Sequence, residues 1–271
     1  MTLWIDGERQ AARAPATLDR GLEFGDGLFE TMAVRGGRVR LLERHLARLY
    51  AGVARLGIAA PDADVLREEL SRAAAEPGCV VLKLIVTRGA GGHGYRADPG
   101  LAPRRWLAAL PARTRPASWA EAGVAVRLCA TRLAEQPLLA GLKHLNRLEQ
   151  VLARREWSDP EVSEGLMCDV HGRLVCGTMS NVFLVTNGTV VTPQLQRCGV
   201  AGVMRAAVLA ALRSAGSAAE ERDVEVAEIT ATSEVFVTNA LIGAWPVRRL
   251  DGWQRAAGPV VRRVQAWIEG W

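Results

Sequence analysis

The sequence predicts an α+β protein of two domains. Three observations carry this: strand and helix signals arrive in blocks in both halves, a proline-and-arginine stretch at Pro111 to Pro116 separates them, and 271 residues with 49% hydrophobic content can fill two cores. The expected boundaries are residues 1–112 for the first domain, 113–119 for the linker and 120–271 for the second. Two α+β domains of this kind would face each other across a cleft, a common place for a ligand.

The first domain opens with a short strand at Leu3 to Asp6 and a turn at Asp6-Gly7. Phe29 to Val34 reads as a strand, Gly36-Gly37 as a hairpin turn and Arg38 to Leu41 as the returning strand. From Leu42 to Leu56 the apolar residues recur at helical period, and Gly57 ends the run. Asp62 to Glu76 is a second helix stopped by Pro77-Gly78. Val80 to Thr87 is nearly all apolar or β-branched and predicts a buried strand, with Lys83 the exception. A glycine-rich loop runs from Arg88 to Pro103, and Arg104 to Leu110 is another strand.

The second domain begins near Ala117, with strands at Val124 to Cys129, Gly165 to Val170 and Arg173 to Cys176, the last two joined by a turn at His171-Gly172. Asn187-Gly188 between Val182–Thr186 and Val190–Thr192 is the strongest short hairpin signal in the chain. Gly202 opens a helix over Val203 to Ser214. Strands near Val224 and at Glu234 to Thr238 precede a last helix around Val260 to Ile268. No internal repeat or low-complexity segment is present.

Within the second domain, Leu138 to Arg155 holds the proposed chemical centre. Leu145, Leu148, Val151 and Leu152 fall at helical spacing and would face a core, which places Lys143 at the start of the helix. A lysine partly desolvated at the edge of a packed element has its ammonium form disfavoured, and the free amine is a nucleophile. Periodicity alone does not separate such a lysine from an ordinary surface one.

Composition narrows the function classes. The net charge of +5 is scattered, with no basic stripe interleaved with aromatics, so nucleic acid is not an expected partner. Five cysteines lack CxxC or metal-ligand spacing and are expected as free thiols, and the four histidines do not cluster at metal spacing. The first residues, MTLWIDGERQ, carry acids where a secretory signal needs a basic region and an apolar run, and no stretch reaches membrane-spanning length, so the cytoplasm is the expected compartment. Gly89-Ala90-Gly91-Gly92-His93-Gly94 matches GxGxxG formally, but it runs into Tyr95-Arg96-Ala97-Asp98-Pro99-Gly100 and opens no helix. A dinucleotide site is therefore disfavoured. GxSxG, HExxH and P-loop signatures are absent.

The decamer KHLNRLEQVL at Lys143 to Leu152 resembles the segment around the cofactor lysine of class IV, or fold type IV, pyridoxal-phosphate enzymes, in particular their aminodeoxychorismate lyase branch. The resemblance extends from FGDGLFET at Phe24 to Thr31 through TNALIGAWPV at Thr238 to Val247. It implies the two-domain fold of D-amino acid aminotransferase-like proteins, with pyridoxal 5'-phosphate in the interdomain cleft and a homodimer that borrows loops from the neighbouring subunit.

The cofactor needs an amine for its aldehyde, cationic and amide donors for its phosphate, and a partner for its pyridine nitrogen. The resemblance assigns the amine to Lys143. It assigns the phosphate to Arg48, in ERHLARL at Glu43 to Leu49, where a planar guanidinium suits bidentate contact. The backbone amides at Gly202, Val203 and Met204, where a helix starts, and the turn at Asn239-Ala240 complete the phosphate set. Ser180 and Asn181 belong to the family's cofactor-binding signature, which also matches Thr178, Val182, Phe183, Thr192, Val200 and Arg205. Phe29 would wall the cofactor, and Thr31 would face the substrate and take part in catalysis.

Two positions depart from the family pattern. Five residues before Asn181, where the family has a glutamate holding the pyridine nitrogen protonated, this chain has Cys176, a weak neutral donor. In the loop after Thr87, where the lyases have an arginine before Gly-Tyr, this chain has His93, followed by Tyr95 and Arg96, all expected to meet the substrate carboxylate. The implied reaction converts 4-amino-4-deoxychorismate to 4-aminobenzoate and pyruvate in folate biosynthesis. The alternatives are an aminotransferase acting on D-amino or branched-chain amino acids and a degenerate homologue without catalysis.

Overall fold

The computed structural model describes residues 2–10, 19–112 and 115–271. Arg113 and Thr114, inside the stretch read as a linker, lie outside the described residues. The chain divides into two compact units, Met1–Thr114 with Leu142–Asn146, and Arg115–Gly141 with Arg147–Trp271. Lys143, which sequence order puts in the second domain, thus belongs structurally to the first unit. Backbone pairing with a strand of that unit is the cause.

The first unit contains β1 (Thr2–Ile5), β2 (Glu8–Gln10), α1 (Arg20–Phe24), β3 (Gly27–Arg35), β4 (Arg38–Val39), α2 (Leu42–Leu56), α3 (Ala63–Ala74), β5 (Val81–Thr87) and β6 (Arg104–Leu110). The six strands form an antiparallel sheet in the order β2-β1-β6-β5-β3-β4. Alternation along β3 sends Leu28, Glu30, Met32 and Val34 to the buried face and leaves Phe29, Thr31 and Ala33 partly open on the other. α2 lies over the buried face with His45, Leu46, Leu49 and Val53 turned inward. Each apolar side chain so covered stabilises the unit by about 2 kcal/mol. A Cβ at Gly52 would meet Leu28 at 2.6 Å, so the glycine lets the helix come close to β3. Gly57, at φ 61°, ends α2 with its N–H on the carbonyls of Val53 and Ala54. Asp62 caps α3 by accepting from Asp64 N–H and Val65 N–H at 3.0 Å, an arrangement worth about 1 kcal/mol.

The second unit contains α4 (Ser118–Glu121), β7 (Val124–Leu133), α5 (Leu148–Arg154), β8 (Val162–Asp169), β9 (Leu174–Gly177), β10 (Asn181–Thr186), β11 (Thr189–Pro193), α6 (Val203–Ser214), β12 (Ala219–Arg222), a 3-10 helix (Val226–Ala231), β13 (Glu234–Asn239), β14 (Gly243–Leu250), β15 (Trp253–Gln254) and α7 (Pro259–Glu269). Its sheet runs β12-β11-β10-β13-β14-β7-β8-β9, with β15 on β14. The pairs β11 with β12, β14 with β7 and β7 with β8 are parallel, and the rest are antiparallel. Val182, Leu184, Val235, Val237, Trp245 and Val247 meet in its core. Asn187 and Gly188 both take positive φ, 51° and 81°, as a two-residue hairpin between β10 and β11 requires.

Two expectations change. The strand near Val224 lies earlier, at β12, whose AEER sequence has no apolar alternation because it is an edge strand. The helix after Lys143 begins only at Leu148, and Leu148, Val151 and Leu152 are 76%, 53% and 52% exposed, so they do not face a core. α5 is seated instead through Ala153, which packs with Trp157, Leu133 and Met167. Among the described residues no helix is long and apolar enough to cross a membrane.

Candidate active site

Lys143 lies outside any helix, five residues before α5 begins at Leu148. Phe29 N–H donates to the Lys143 carbonyl at 2.9 Å and Leu145 N–H to the Gly27 carbonyl at 3.0 Å, so a single antiparallel bridge between His144 and Leu28 ties this segment to the start of β3. The Lys143 ammonium nitrogen stands 4.2 Å from the centroid of the Phe29 ring. Lys83 Nζ approaches the same ring at 5.8 Å, and Lys83 is opposite Thr31 in the ladder between β3 and β5. Phe29, Thr31, Lys83 and the Lys143 amine thus share the open face of the first sheet.

On the opposite, buried face, Glu30 joins Arg48 and His45. Arg48 donates from Nε to Glu30 Oε1 at 2.7 Å and from Nη2 to Oε2 at 2.5 Å, and His45 Nδ1 lies 2.6 Å from Oε2. Burial alone would raise the Glu30 carboxyl, but the His45 hydrogen bond and the Arg48 charge and hydrogen bond outweigh it and hold the group below the usual carboxylate range.

The loop carrying His93, Tyr95 and Arg96 is closed by a tight pairing, with His93 N–H on the Arg96 carbonyl at 3.0 Å and the reverse bond at 3.2 Å. All three side chains are exposed, and Tyr95 packs edge-on against Phe24 at 5.4 Å. What fixes the loop is Arg20, which is 4% exposed. Its Nη1 donates to the Gly94 carbonyl at 3.0 Å, its Nη2 to the Tyr95 carbonyl at 2.9 Å and its Nε to Asp26 at 3.0 Å. Arg88 donates from Nε and Nη2 to the same Asp26 at 2.7 and 3.0 Å.

In the second unit, Cys176 lies in β9, buried among Cys129, Met167, Val175 and Cys198. Burial pushes its thiol far up, leaving a neutral S–H. Beside it the fully buried Glu164 receives Thr178 Oγ1 at 2.5 Å, Ser180 Oγ at 2.7 Å and the amides of Gly165, Thr178 and Met179 at 2.9, 3.0 and 3.3 Å. Burial raises the Glu164 carboxyl, and these hydrogen bonds pull it only part of the way back.

Asn181 donates to the Val200 carbonyl at 2.9 Å, and a Cβ at Gly202 would collide with Asn181 Oδ1. Gly202 precedes α6 without any side-chain cap, so the first amides of that helix, at Val203 and Met204, have no side-chain acceptor there. Asn239 Oδ1 accepts from Leu241 and Ile242 N–H at 2.8 and 2.9 Å and shapes the turn through Ala240. The neighbouring Thr238 hydroxyl is buried without a partner.

A family model described as amino-transferase class IV matches residues 27–250. The chain belongs to that family. Among class IV relatives, an aminodeoxychorismate lyase of Vibrio harveyi is 33% identical over 266 residues, covering 97% of both chains. A D-alanine aminotransferase of Bacillus licheniformis is 27% identical over 93% of this chain and 89% of its own. The crystal structure of 4-amino-4-deoxychorismate lyase from Pseudomonas aeruginosa is similar over 99% of this chain and 98% of that one, with 52% identity and a TM-score of 0.94. The expected fold, α+β and fold type IV, is borne out.

Of the candidate residues, the first unit of this class IV chain brings together Lys143, Phe29 and Thr31 on one sheet face, and sets Arg48 behind it through Glu30. Ser180 spends its hydroxyl on Glu164 and serves the turn before Asn181. Three residues that hold these candidate positions within their own units went unread in the sequence: Arg20 and Glu30 in the first unit and Glu164 in the second. The signal available for Glu30 was its alternation with Phe29 and Thr31, which puts an acid on the buried side of a strand, where it needs a cation.

Proposed function

We propose that this class IV enzyme is an aminodeoxychorismate lyase that uses pyridoxal 5'-phosphate to convert 4-amino-4-deoxychorismate into 4-aminobenzoate and pyruvate in folate biosynthesis. The observation that carries the reading is the Lys143 amine standing over Phe29, beside Thr31 on an open sheet face.

The residues present fit the cofactor. An uncapped helix start at Gly202, where a side chain would strike Asn181, offers close-approach amides for a phosphate. Arg48 is the assigned guanidinium for that phosphate, and Asn239-Ala240 the assigned third contact. The cofactor, when bound, supplies an electron sink for the pair released beside the substrate amine.

Lys143 then acts as the base that removes the ring hydrogen beside that amine. The carbon–oxygen bond to the enolpyruvyl group breaks, the ring becomes aromatic, and the departing group takes a proton to give pyruvate. The neutral Cys176 thiol serves as a weak partner for the pyridine nitrogen, which the gain in aromaticity tolerates. Thr31 and Phe29 border the substrate. His93, Tyr95 and Arg96, presented by the loop that Arg20 holds, supply its carboxylate contact, with Arg96 the permanent cation. A homodimer working in the cytoplasm belongs to the same reading.

Borohydride reduction and peptide mapping test it, together with release of 4-aminobenzoate from the substrate. A purified protein that binds the cofactor at Lys143 and forms 4-aminobenzoate supports the lyase. One that instead cycles its cofactor to the amine form with an amino donor, and releases none, is an aminotransferase.

A further inference from the structure

Glu30, His45 and Arg48 form a buried cluster on the far side of β3 from Phe29. Glu30 and His45 are 2% and 1% exposed. The close seating of α2 at Gly52 brings them together, since His45 and Arg48 lie one turn apart on the face turned to β3. An ionised carboxylate only accepts hydrogen bonds, so His45 must carry its proton on Nδ1 to satisfy Glu30 at 2.6 Å. His45 Nε2 is buried without a partner, which leaves Glu30 as the one hydrogen-bond partner shown for the ring.

From these contacts we propose that Glu30, braced by His45, is a positioning residue that fixes the plane of the Arg48 guanidinium for phosphate recognition. The inference rests on the pyridoxal-phosphate reading. A free arginine side chain gives up rotamer entropy when it binds, and a fork already held in place need not lose it again. Nε and Nη2 are both held by the two carboxylate oxygens, so rotation about the last side-chain bonds is locked.

Two effects oppose each other here. A carboxylate next to a phosphate-binding cation partly cancels its charge, and Coulomb attraction alone would make phosphate bind more tightly once the carboxylate is gone. Positioning gives the opposite sign. In Glu30→Gln one oxygen becomes an amide nitrogen facing an Arg48 N–H, donor against donor, and the guanidinium must turn away.

The test compares pyridoxal phosphate with pyridoxal, which lacks the phosphate, by absorbance titration of the full-length wild type, Glu30→Gln and Glu30→Asp. Aspartate keeps the charge and the buried pair but withdraws the oxygens by one methylene, so the comparison survives if the glutamine variant does not fold. Both variants should weaken pyridoxal phosphate about tenfold while changing pyridoxal by less than about twofold. Unchanged or tighter pyridoxal phosphate binding overturns the proposal in favour of simple charge. Equal losses for both ligands overturn it in favour of general packing. A wild type that binds neither ligand defeats the cofactor reading itself, an outcome distinct from both.

Discussion

The Lys143 amine and the Phe29 ring, 4.2 Å apart, are also joined through the backbone by the Phe29 N–H bond to the Lys143 carbonyl. The lysine is thereby anchored to the strand whose open face it overlooks, and its four-carbon stem has a fixed starting point. Lys83 is the control, because its Nζ approaches the same ring from β5 at 5.8 Å. After borohydride treatment with pyridoxal phosphate, Lys143→Ala should retain no label, whereas Lys83→Ala should keep it. Label that persists in Lys143→Ala and maps to Lys83 would falsify the assignment of the reactive amine.

Arg20 should prove more consequential than any exposed residue of the loop it holds. Its side chain is 5% exposed and paired with Asp26, so Arg20→Ala leaves a part-buried carboxylate with only Arg88. The expected cost is about 3 kcal/mol in urea unfolding. Burial would raise the Asp26 carboxyl, yet hydrogen bonds and charge from Arg88 and Arg20 win and lower it. A lowered carboxyl contributes stability above its unfolded value and loses it as pH falls through the folded one. The gap between wild type and Arg20→Ala should therefore shrink below about pH 4. A gap that stays constant between neutral pH and about pH 3 would assign the loss to packing alone.

These contacts mark where sequence reading reaches and where it stops. α2, α6 and β6 were legible to the residue because period, glycine stops and uncapped starts act locally. The Lys143 segment was misread as the beginning of a helix because Leu145, Leu148, Val151 and Leu152 fit a helical period. Pairing to β3, a partner more than a hundred residues away, decided its conformation. Arg20 escaped for the same reason: its acceptors at Gly94 and Tyr95 are distant in sequence and are carbonyls, which leave no side-chain signature. Cys176 was identified by resemblance, but the buried acid beside it was not, since Glu164 stands in another strand.

Glu164 makes a prediction about pH that runs opposite to Asp26. Its carboxyl is raised by burial above the ordinary 4.5. A raised folded value means the contribution to stability is complete below the unfolded value and declines as pH rises through the folded one. Glu164→Gln is costly at low pH, because its amide hydrogens oppose the donors from Thr178, Ser180 and the backbone. Its deficit relative to wild type should narrow as pH rises from about 4.5 to about 8. Chemical unfolding across that range checks the sign, and a deficit that does not narrow shows Glu164 to be ionised in the folded protein throughout it.

Cys176→Glu separates the lyase and aminotransferase readings. The wild-type thiol is neutral because burial pushes it up, and it packs among Cys129, Met167, Val175 and Cys198 with the raised Glu164 close by. A second carboxyl in that interior is buried close to Glu164, with Arg147 the nearby cation and a pyridinium adding another when the cofactor is bound, so without cofactor the variant should lose up to about 3 kcal/mol. With cofactor bound, the carboxylate and the ring cation form a pair, and most of that loss should be recovered. The same pair strengthens the electron sink, so transamination with an amino donor should rise while lyase turnover, driven by aromatisation, changes little. Thermal melts with and without pyridoxal phosphate and the two activities make three independent measurements. If the variant destabilises the protein equally with and without cofactor and alters neither activity, Cys176 does not face the ring, and the pyridine nitrogen is held by another group.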